Sequence, residues 1–225
     1  LGCFKVGLIP TGSQDPYALR RASRNINEIL WGCDLDIDLV PLFEDLGQAL
    51  EASGETLAQV QDFFTQRLQV QLRERGFSFG LAALGVQLMW NRPYQVQKIL
   101  TSYASVQGEE WFKALVTAAI RVKNILSKAG DFPLEVLPRN LVQKEEQSLY
   151  ATVTSLRPAV FEALERNAWP EVTQLLSKLE PDITLFFDKV LVMDENPAVR
   201  GNRLALLERC NELFKSVGDL GILKE

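Results

Sequence analysis

Between its breakers the chain repeats apolar residues at three- and four-residue steps, the period of an amphipathic helix, over almost its whole length. The first such segment follows the Pro10-Thr11-Gly12-Ser13 turn. It has Asp15 as N-cap, Pro16 at the first helical position, and Ala22, Ile26, Ile29 and Leu30 on one face. A second segment, about 36–52, begins behind Asp34, Asp36 and Asp38, acids that suit the positive end of a helix dipole, and is broken by Gly54. A third, 55–75, ends where Gly76 occupies the position of a C-cap glycine. Helices over 79–90 and 94–105 are divided by Asn91-Arg92-Pro93, and a long amphipathic helix over 109–128 carries acids in its first turn. A loop with two prolines, 129–140, leads to a helical stretch over 141–167 that Pro158 is expected to kink or split. Helices over 169–179 and 181–190 follow, and a last one has Asn196 as cap, Pro197 at its first position and an end near Val217. Strand signals are confined to 4–9 and 190–193. The pattern predicts an all-α helical bundle.

Composition narrows what such a bundle does. At 225 residues, 47% apolar and 24% charged, the chain has room for one large core or two smaller ones. Its longest apolar run, 81–90, is interrupted by Gln87 and falls well short of a membrane span. No signal-peptide pattern opens it. It begins with Leu1 in what reads as a structured element, which suggests a fragment of a longer polypeptide. Cys3, Cys33 and Cys210 are far apart and odd in number, the usage of reduced thiols in a cytosolic protein. The net charge of −5 means that any RNA binding must come from local basic faces rather than from the whole field.

The chain has no histidine, which removes the commonest general base, imidazole-dependent triads and the usual zinc and non-haem iron sites. No phosphate-cradling glycine motif is present. Asp34, Asp36 and Asp38 imitate the start of a calcium loop. However, Leu39 stands where its glycine belongs and Asp45 where its bidentate glutamate belongs, so the aspartates read as helix-start residues. No catalytic or metal-binding residues are expected.

Three stretches point to a family. The first is Pro10-Thr11-Gly12-Ser13-Gln14-Asp15-Pro16-Tyr17-Ala18-Leu19-Arg20-Arg21. The second is Phe186-Phe187-Asp188-Lys189-Val190-Leu191-Val192-Met193, followed by Arg200-Gly201-Asn202-Arg203-Leu204-Ala205-Leu206-Leu207. Between them lies Arg121-Val122-Lys123-Asn124-Ile125-Leu126. In this order they resemble the C-terminal region of the bacterial-type glycyl-tRNA synthetase β subunit, whose closing segment is shared more loosely with arginyl-type (DALR-like) anticodon-binding domains. The resemblance implies a cytoplasmic hetero-oligomer that activates glycine with ATP and attaches it to glycine tRNA. The adenylate-forming site, with its ATP and Mg, sits on a separate α subunit, while the β subunit holds the tRNA and touches neither DNA nor membrane. It implies residues 1–33 as the end of a preceding domain with a junction helix, residues 34–225 as the anticodon-binding domain, and no chemistry in this stretch. The alternative is a helical protein–protein scaffold that joins synthetase subunits without touching tRNA.

Anticodon bases are read by stacking and base-edge hydrogen bonds, and the flanking stems are held through phosphates. Lys113, Thr117, Arg121, Asn124 and Lys128 fall at helical steps on one acid-free face, opposite an apolar stripe of Trp111, Leu115, Ala118, Ala119, Val122 and Leu126. That face is either a tRNA-backbone contact or a solvated helix surface. Arg20, Arg21 and Arg24 cluster in the opening helix, as RNA contacts or as ion-pair partners of the acids at 34–38. Trp90, Arg92 and Tyr94 bracket a helix break, as a base-stacking platform or as core capping. Arg203 falls on the stripe of Val199, Leu206, Cys210, Leu213 and Val217, so it is expected to be buried in a structural ion pair, with Asp188 as partner, while Arg200 is expected to be exposed.

Overall fold

A computed structural model describes residues 1–12, 14, 15 and 17–224. Among these the chain is all-α, with ten α-helices, two short 3-10 turns and no strand. The run 4–9, expected to extend, is instead a helical turn, α1 (Gly2–Lys5), followed by Gly7 at φ 77°. Residues 190–193 likewise form no strand. The chain resolves into two compact units, residues 1–101 and 102–225. The boundary expected at 33/34 falls inside the first of them. No helix among the described residues is long and apolar enough to cross a membrane.

The first unit holds α2 (Leu19–Gly32), α3 (Leu39–Ala49), α4 (Gly54–Glu74), α5 (Phe79–Met89) and most of α6 (Pro93–Val106). Their starts are dictated locally. Asp38, Ser53 and Ser78 each accept a backbone N–H of the first turn of α3, α4 and α5, satisfying donors that the helix itself leaves unpaired. Gly76, at φ 96°, follows the end of α4 in the left-handed region that favours glycine. In α4, Val60, Phe64, Leu68 and Leu72 recur every four residues and are all buried. Phe64 joins Leu30 and Leu39, with Phe43 and Trp90 packed against them.

The opening helix differs from its expected form. Pro16 lies outside the described residues. The helix starts at Leu19, and Asp15 caps it from a distance: its carboxylate accepts the Leu19 and Arg20 N–H groups at 2.8 and 3.0 Å. Ala22, Ile26 and Ile29 are exposed, and the buried face is Ser23, Asn27, Leu30 and Trp31. The reason is that α2 meets α4 along a polar seam. Asn27 donates to Gln71 at 3.0 Å, and Gln71 donates to Glu28 at 2.7 Å. Arg75 pairs with Glu28 at 2.5 Å and lies 4.1 Å over the Trp31 ring, whose N–H donates to the Pro93 carbonyl. The Gln71 hydrogen bond, followed by Arg75, holds the Glu28 carboxyl below the usual carboxylate range.

The second unit is built from α7 (Glu110–Leu126), α8 (Lys144–Glu165), α9 (Trp169–Lys189) and α10 (Pro197–Val217), with 3-10 turns at Pro138–Asn140 and Leu220–Leu223. α8 lies along α9, α7 packs on α9 and α10, and α10 also meets α8. Neither proline splits its helix, as a division at Pro158 or before Pro181 would have: Pro158 sits inside α8 and Pro181 inside α9. Both are exposed, and each helix buries residues on both sides of its proline, which offsets the lost backbone bond. Asn196 caps α10 as expected, accepting from Ala198 and Val199. Tyr103 is fully buried and donates its hydroxyl to the Val217 carbonyl at 2.7 Å. Burial pushes the Cys210 thiol up to about 12.

One close approach in the first unit is testable. A Cβ on Gly85 would stand 2.8 Å from Val96 Cγ1 and 3.0 Å from Leu100 Cδ2, both fully buried. Helix propensity alone favours alanine over glycine by about 1 kcal/mol. Here overpacking outweighs it, so Gly85→Ala is expected to lower the denaturant midpoint, by roughly 1–2 kcal/mol net. Gly32→Ala, with nothing within 4 Å of its Cβ, is expected to leave the midpoint unchanged or raise it.

Candidate nucleic-acid interface

The exposed side of α7 carries the predicted stripe, and the structure gives it a shape. Leu115, Ala118, Ala119 and Val122 are buried as expected, joined by Phe112 and Val116. Thr117, Arg121, Asn124 and Lys128 then line an open groove of about 400 Å³, with Ile120, Ile125 and Met193 as its apolar lining. Arg121 is fixed there by Phe187 of α9, its guanidinium carbon 4.3 Å from the ring centroid. Neither Arg121 nor Lys128 has a carboxylate within salt-bridge distance among the described residues. Lys113 sits apart from this groove. It pairs with Glu110 one turn earlier at 2.7 Å, and lines a neighbouring groove of about 370 Å³ with Phe112, Val116, Thr117, Leu223 and Lys224. That hydrogen bond lowers the Glu110 carboxyl pKa.

Chemically, this surface offers two cations without carboxylate partners, a neutral amide, a hydroxyl and an apolar strip. A guanidinium presents N–H donors in a fork that matches a phosphate or a base edge, and an ammonium supplies a point charge. Donors of these kinds are chemically suited to phosphate oxygens, and the apolar strip to a flat ring face. Sequence reasoning missed Ile120, Ile125 and Met193, although the first two share the exposed edge of the same helix. It also missed Phe187, for which the sequence carries no local signal.

Met193 is presented by a turn that the buried Arg203 holds. Arg203 is 2% exposed, as its place on the α10 stripe predicted, but its partner is not Asp188, which is exposed. Its Nε donates to Glu146 Oε1 at 2.6 Å, and its Nη1 donates to Asp194 Oδ2 at 2.7 Å and to the Leu191 carbonyl at 2.8 Å. Glu146, 0% exposed, uses its second oxygen to accept the Gln143 N–H at 2.6 Å, closing a capping box at the start of α8. The signal for this partner was the Gln-x-x-Glu spacing of that box, three residues inside a helix start. Arg200 is half-buried rather than exposed and donates to the Asp194 carbonyl.

The other candidates lie in the first unit. Trp90 is half-buried, with ring centroids 6.2 and 6.5 Å from Phe43 and Phe64, and so caps the core instead of offering a free stacking face. Arg92 pairs with Asp36 at 2.7 Å, and Tyr94 carries the Lys98 ammonium 4.6 Å over its ring. The three do not form a platform. Arg24 pairs with Glu74 at 2.8 Å, not with the acids at 34–38, because α2 lies along α4; Arg20 donates to the Gly12 carbonyl at 2.7 Å.

Residues 1–84 match the family model described as glycyl-tRNA synthetase beta subunit, and residues 115–222 match the DALR anticodon binding domain. Among curated relatives, the glycine–tRNA ligase beta subunit of Desulforudis audaxviator is 35% identical over 98% of this chain and 32% of its own length. That of Thermodesulfovibrio yellowstonii is 33% identical over 98% of the chain and 32% of its own length. That of Neisseria gonorrhoeae is 34% identical over 100% of the chain and 33% of its own length. The chain thus spans about one third of the length of these relatives.

The Arg203 arrangement makes two measurable statements. Arg203→Met strands a buried carboxylate, and is expected to cost roughly 3–5 kcal/mol of stability, whereas Glu146→Gln with Arg203→Met recovers much of it. Asp194 is held below the usual aspartate value by the Asn196 N–H and, behind it, by Arg203. A depressed folded pKa stabilises fully above the unfolded value and is lost as pH falls through the folded one. The stability difference between wild type and Asp194→Asn is therefore expected to be flat from neutral pH down and to shrink below about pH 4 in acid-titration melts.

Proposed function

Since the chain belongs to the glycyl-tRNA synthetase β-subunit family, we propose that it holds tRNA for a glycine–tRNA ligase, with the anticodon arm lying along the α7 groove. The observation that supports this most directly is the coincidence of groove and domain. Every residue lining the 400 Å³ groove, from Thr117 to Met193, lies inside the 115–222 match to an anticodon-binding domain. On this reading Lys128 and Arg121 take backbone phosphates, Asn124 offers a donor and an acceptor to a base edge, and Ile120, Ile125 and Met193 take the face of an unpaired base. Ligation chemistry, with its ATP and magnesium, belongs to the separate α subunit, and the partners are glycine tRNA and that subunit in a cytoplasmic hetero-oligomer.

The test is a salt titration of binding. Arg121→Ala with Lys128→Ala is expected to weaken tRNA binding and to flatten the dependence of log K on log salt by roughly one unit per lost phosphate contact. Unchanged binding at low and high salt removes the groove from this reading. Changing the two cytosines that glycine anticodons share is expected to weaken binding to the wild-type chain and to have less effect on the doubly substituted one.

The scaffold reading has one observation in its favour. α3 leaves Leu42, Leu46 and Leu50 45%, 52% and 39% exposed at four-residue steps, an apolar ridge of the kind that meets another protein surface. Leu42→Ser with Leu46→Ser is expected to weaken association with the α subunit in co-purification while leaving tRNA affinity intact. Intact association separates this ridge from subunit joining.

A further inference from the structure

The first unit carries a basic groove that the anticodon reading does not use. Arg20, Arg21 and Arg24 of α2 and Arg67 of α4 line an open cleft of about 250 Å³ with Val70, Gln71 and Glu74. Sequence reasoning reached the first three arginines and left out Arg67, which lies more than 40 positions away and arrives only because α2 lies along α4. Four guanidinium groups against one carboxylate give this cleft a local charge of +3 in a chain whose net charge is −5.

The four arginines divide into two kinds. Arg20 is tied to the Gly12 carbonyl and Arg24 to Glu74, so both are held in place. Arg21 and Arg67 have neither a hydrogen bond nor a salt bridge among the described residues, and their charge is unspent. A structural ion-pair network would have matched them with carboxylates, since like charges held close together repel and gain nothing for the fold. Nor does the cleft suit a protein partner, because its only apolar member is Val70 and it lacks the aromatic anchor on which such interfaces depend. Gln71 is engaged on the seam side, donating to Glu28 and accepting from Asn27, so the remaining donors of the cleft are guanidinium groups. Forked donors of this kind match the non-bridging oxygens of a phosphate.

We propose that this cleft is a second, sequence-independent RNA contact, in which Arg21 and Arg67 take backbone phosphodiesters other than those assigned to the α7 groove. The inference rests on the reading that the chain's ligand is tRNA. It adds that the RNA is gripped by both units, and that the grip of the first unit carries no base information.

The test uses the full chain with glycine tRNA in salt-titrated binding, comparing wild type, Arg21→Ala with Arg67→Ala, and Arg121→Ala with Lys128→Ala. Among the described residues neither Arg21 nor Arg67 makes a hydrogen bond or salt bridge, so the first pair of substitutions is expected to keep the thermal midpoint. It is expected to flatten the salt slope by about 1.5, at roughly 0.7–0.9 per phosphate. Arg21→Glu with Arg67→Glu is expected to weaken binding further, and changing the anticodon cytosines is expected to cost the Arg21/Arg67 variant as much as it costs wild type. If only the α7 variant changes the slope, the cleft proposal falls and the anticodon reading stands. If only the Arg21/Arg67 variant does, the reverse holds, and if neither does, both fall. Inorganic phosphate at constant ionic strength separates the sources. A phosphate-induced rise in thermal midpoint that the Arg21/Arg67 variant lacks, together with an unchanged RNA slope, would identify a free-phosphate site and overturn the RNA assignment.

Discussion

Arg203 is a permanently charged group placed where water does not reach, and the second unit is arranged around neutralising it. Taking a guanidinium out of water is costly unless every donor and the charge itself are answered. Here the answers come from three places in the chain: Glu146 at the start of α8, Asp194 in the turn after α9, and the Leu191 carbonyl. The two carboxylates are themselves fixed by backbone N–H groups, Gln143 for Glu146 and Asn196 for Asp194. The charge thus ties two helix starts and a turn to the middle of α10. Asp188, in the last turn of α9, is left in solvent.

On the proposed reading, that arrangement links stability to recognition. The turn that Arg203 secures carries Met193 into the lining of the α7 groove, and Phe187, just upstream on α9, is the surface on which Arg121 lies. A recognition side chain stacked on a buried ring loses less freedom on binding than one waving in solvent, so less of its interaction energy is consumed in ordering it. The same logic suits an acidic protein meeting a polyanion. On the proposed reading there is no favourable overall field to draw RNA in, so the cations that meet it have to be few, local and already in position.

Much of this was legible in the sequence because helices write themselves in local period. The order of the helices, the Asn196 cap, the buried stripe of α7 and the depth of Arg203 all follow from counting by three and four. Partners were less accessible. Counting places Arg203 inside without saying what it meets, and Glu146 lies 57 positions away. Prolines misled on helix breaks for a related reason: the local rule charges Pro158 and Pro181 for a lost hydrogen bond, while the burial that keeps α8 and α9 continuous through them is tertiary. The face of α2 was misassigned because apolar periodicity assumes an apolar neighbour, and its neighbour presents Gln71 and Arg75. Trp90 and Arg92 looked like a platform only while Phe43 and Asp36 were out of view.

The polar seam between α2 and α4 also works as a ruler. Apolar helix faces tolerate sliding, since one leucine serves nearly as well as the next against a greasy groove. Hydrogen bonds do not, and a shift of one turn would part Glu28 from Arg75 at the surface and Asn27 from Gln71 where both are buried. Register is therefore set by amides and charges instead of by side-chain volume. The distance from Arg21 to Arg67 across the two helices is a direct product of that register, so the spacing of these two cations is measured off, residue by residue, from the seam that joins α2 to α4.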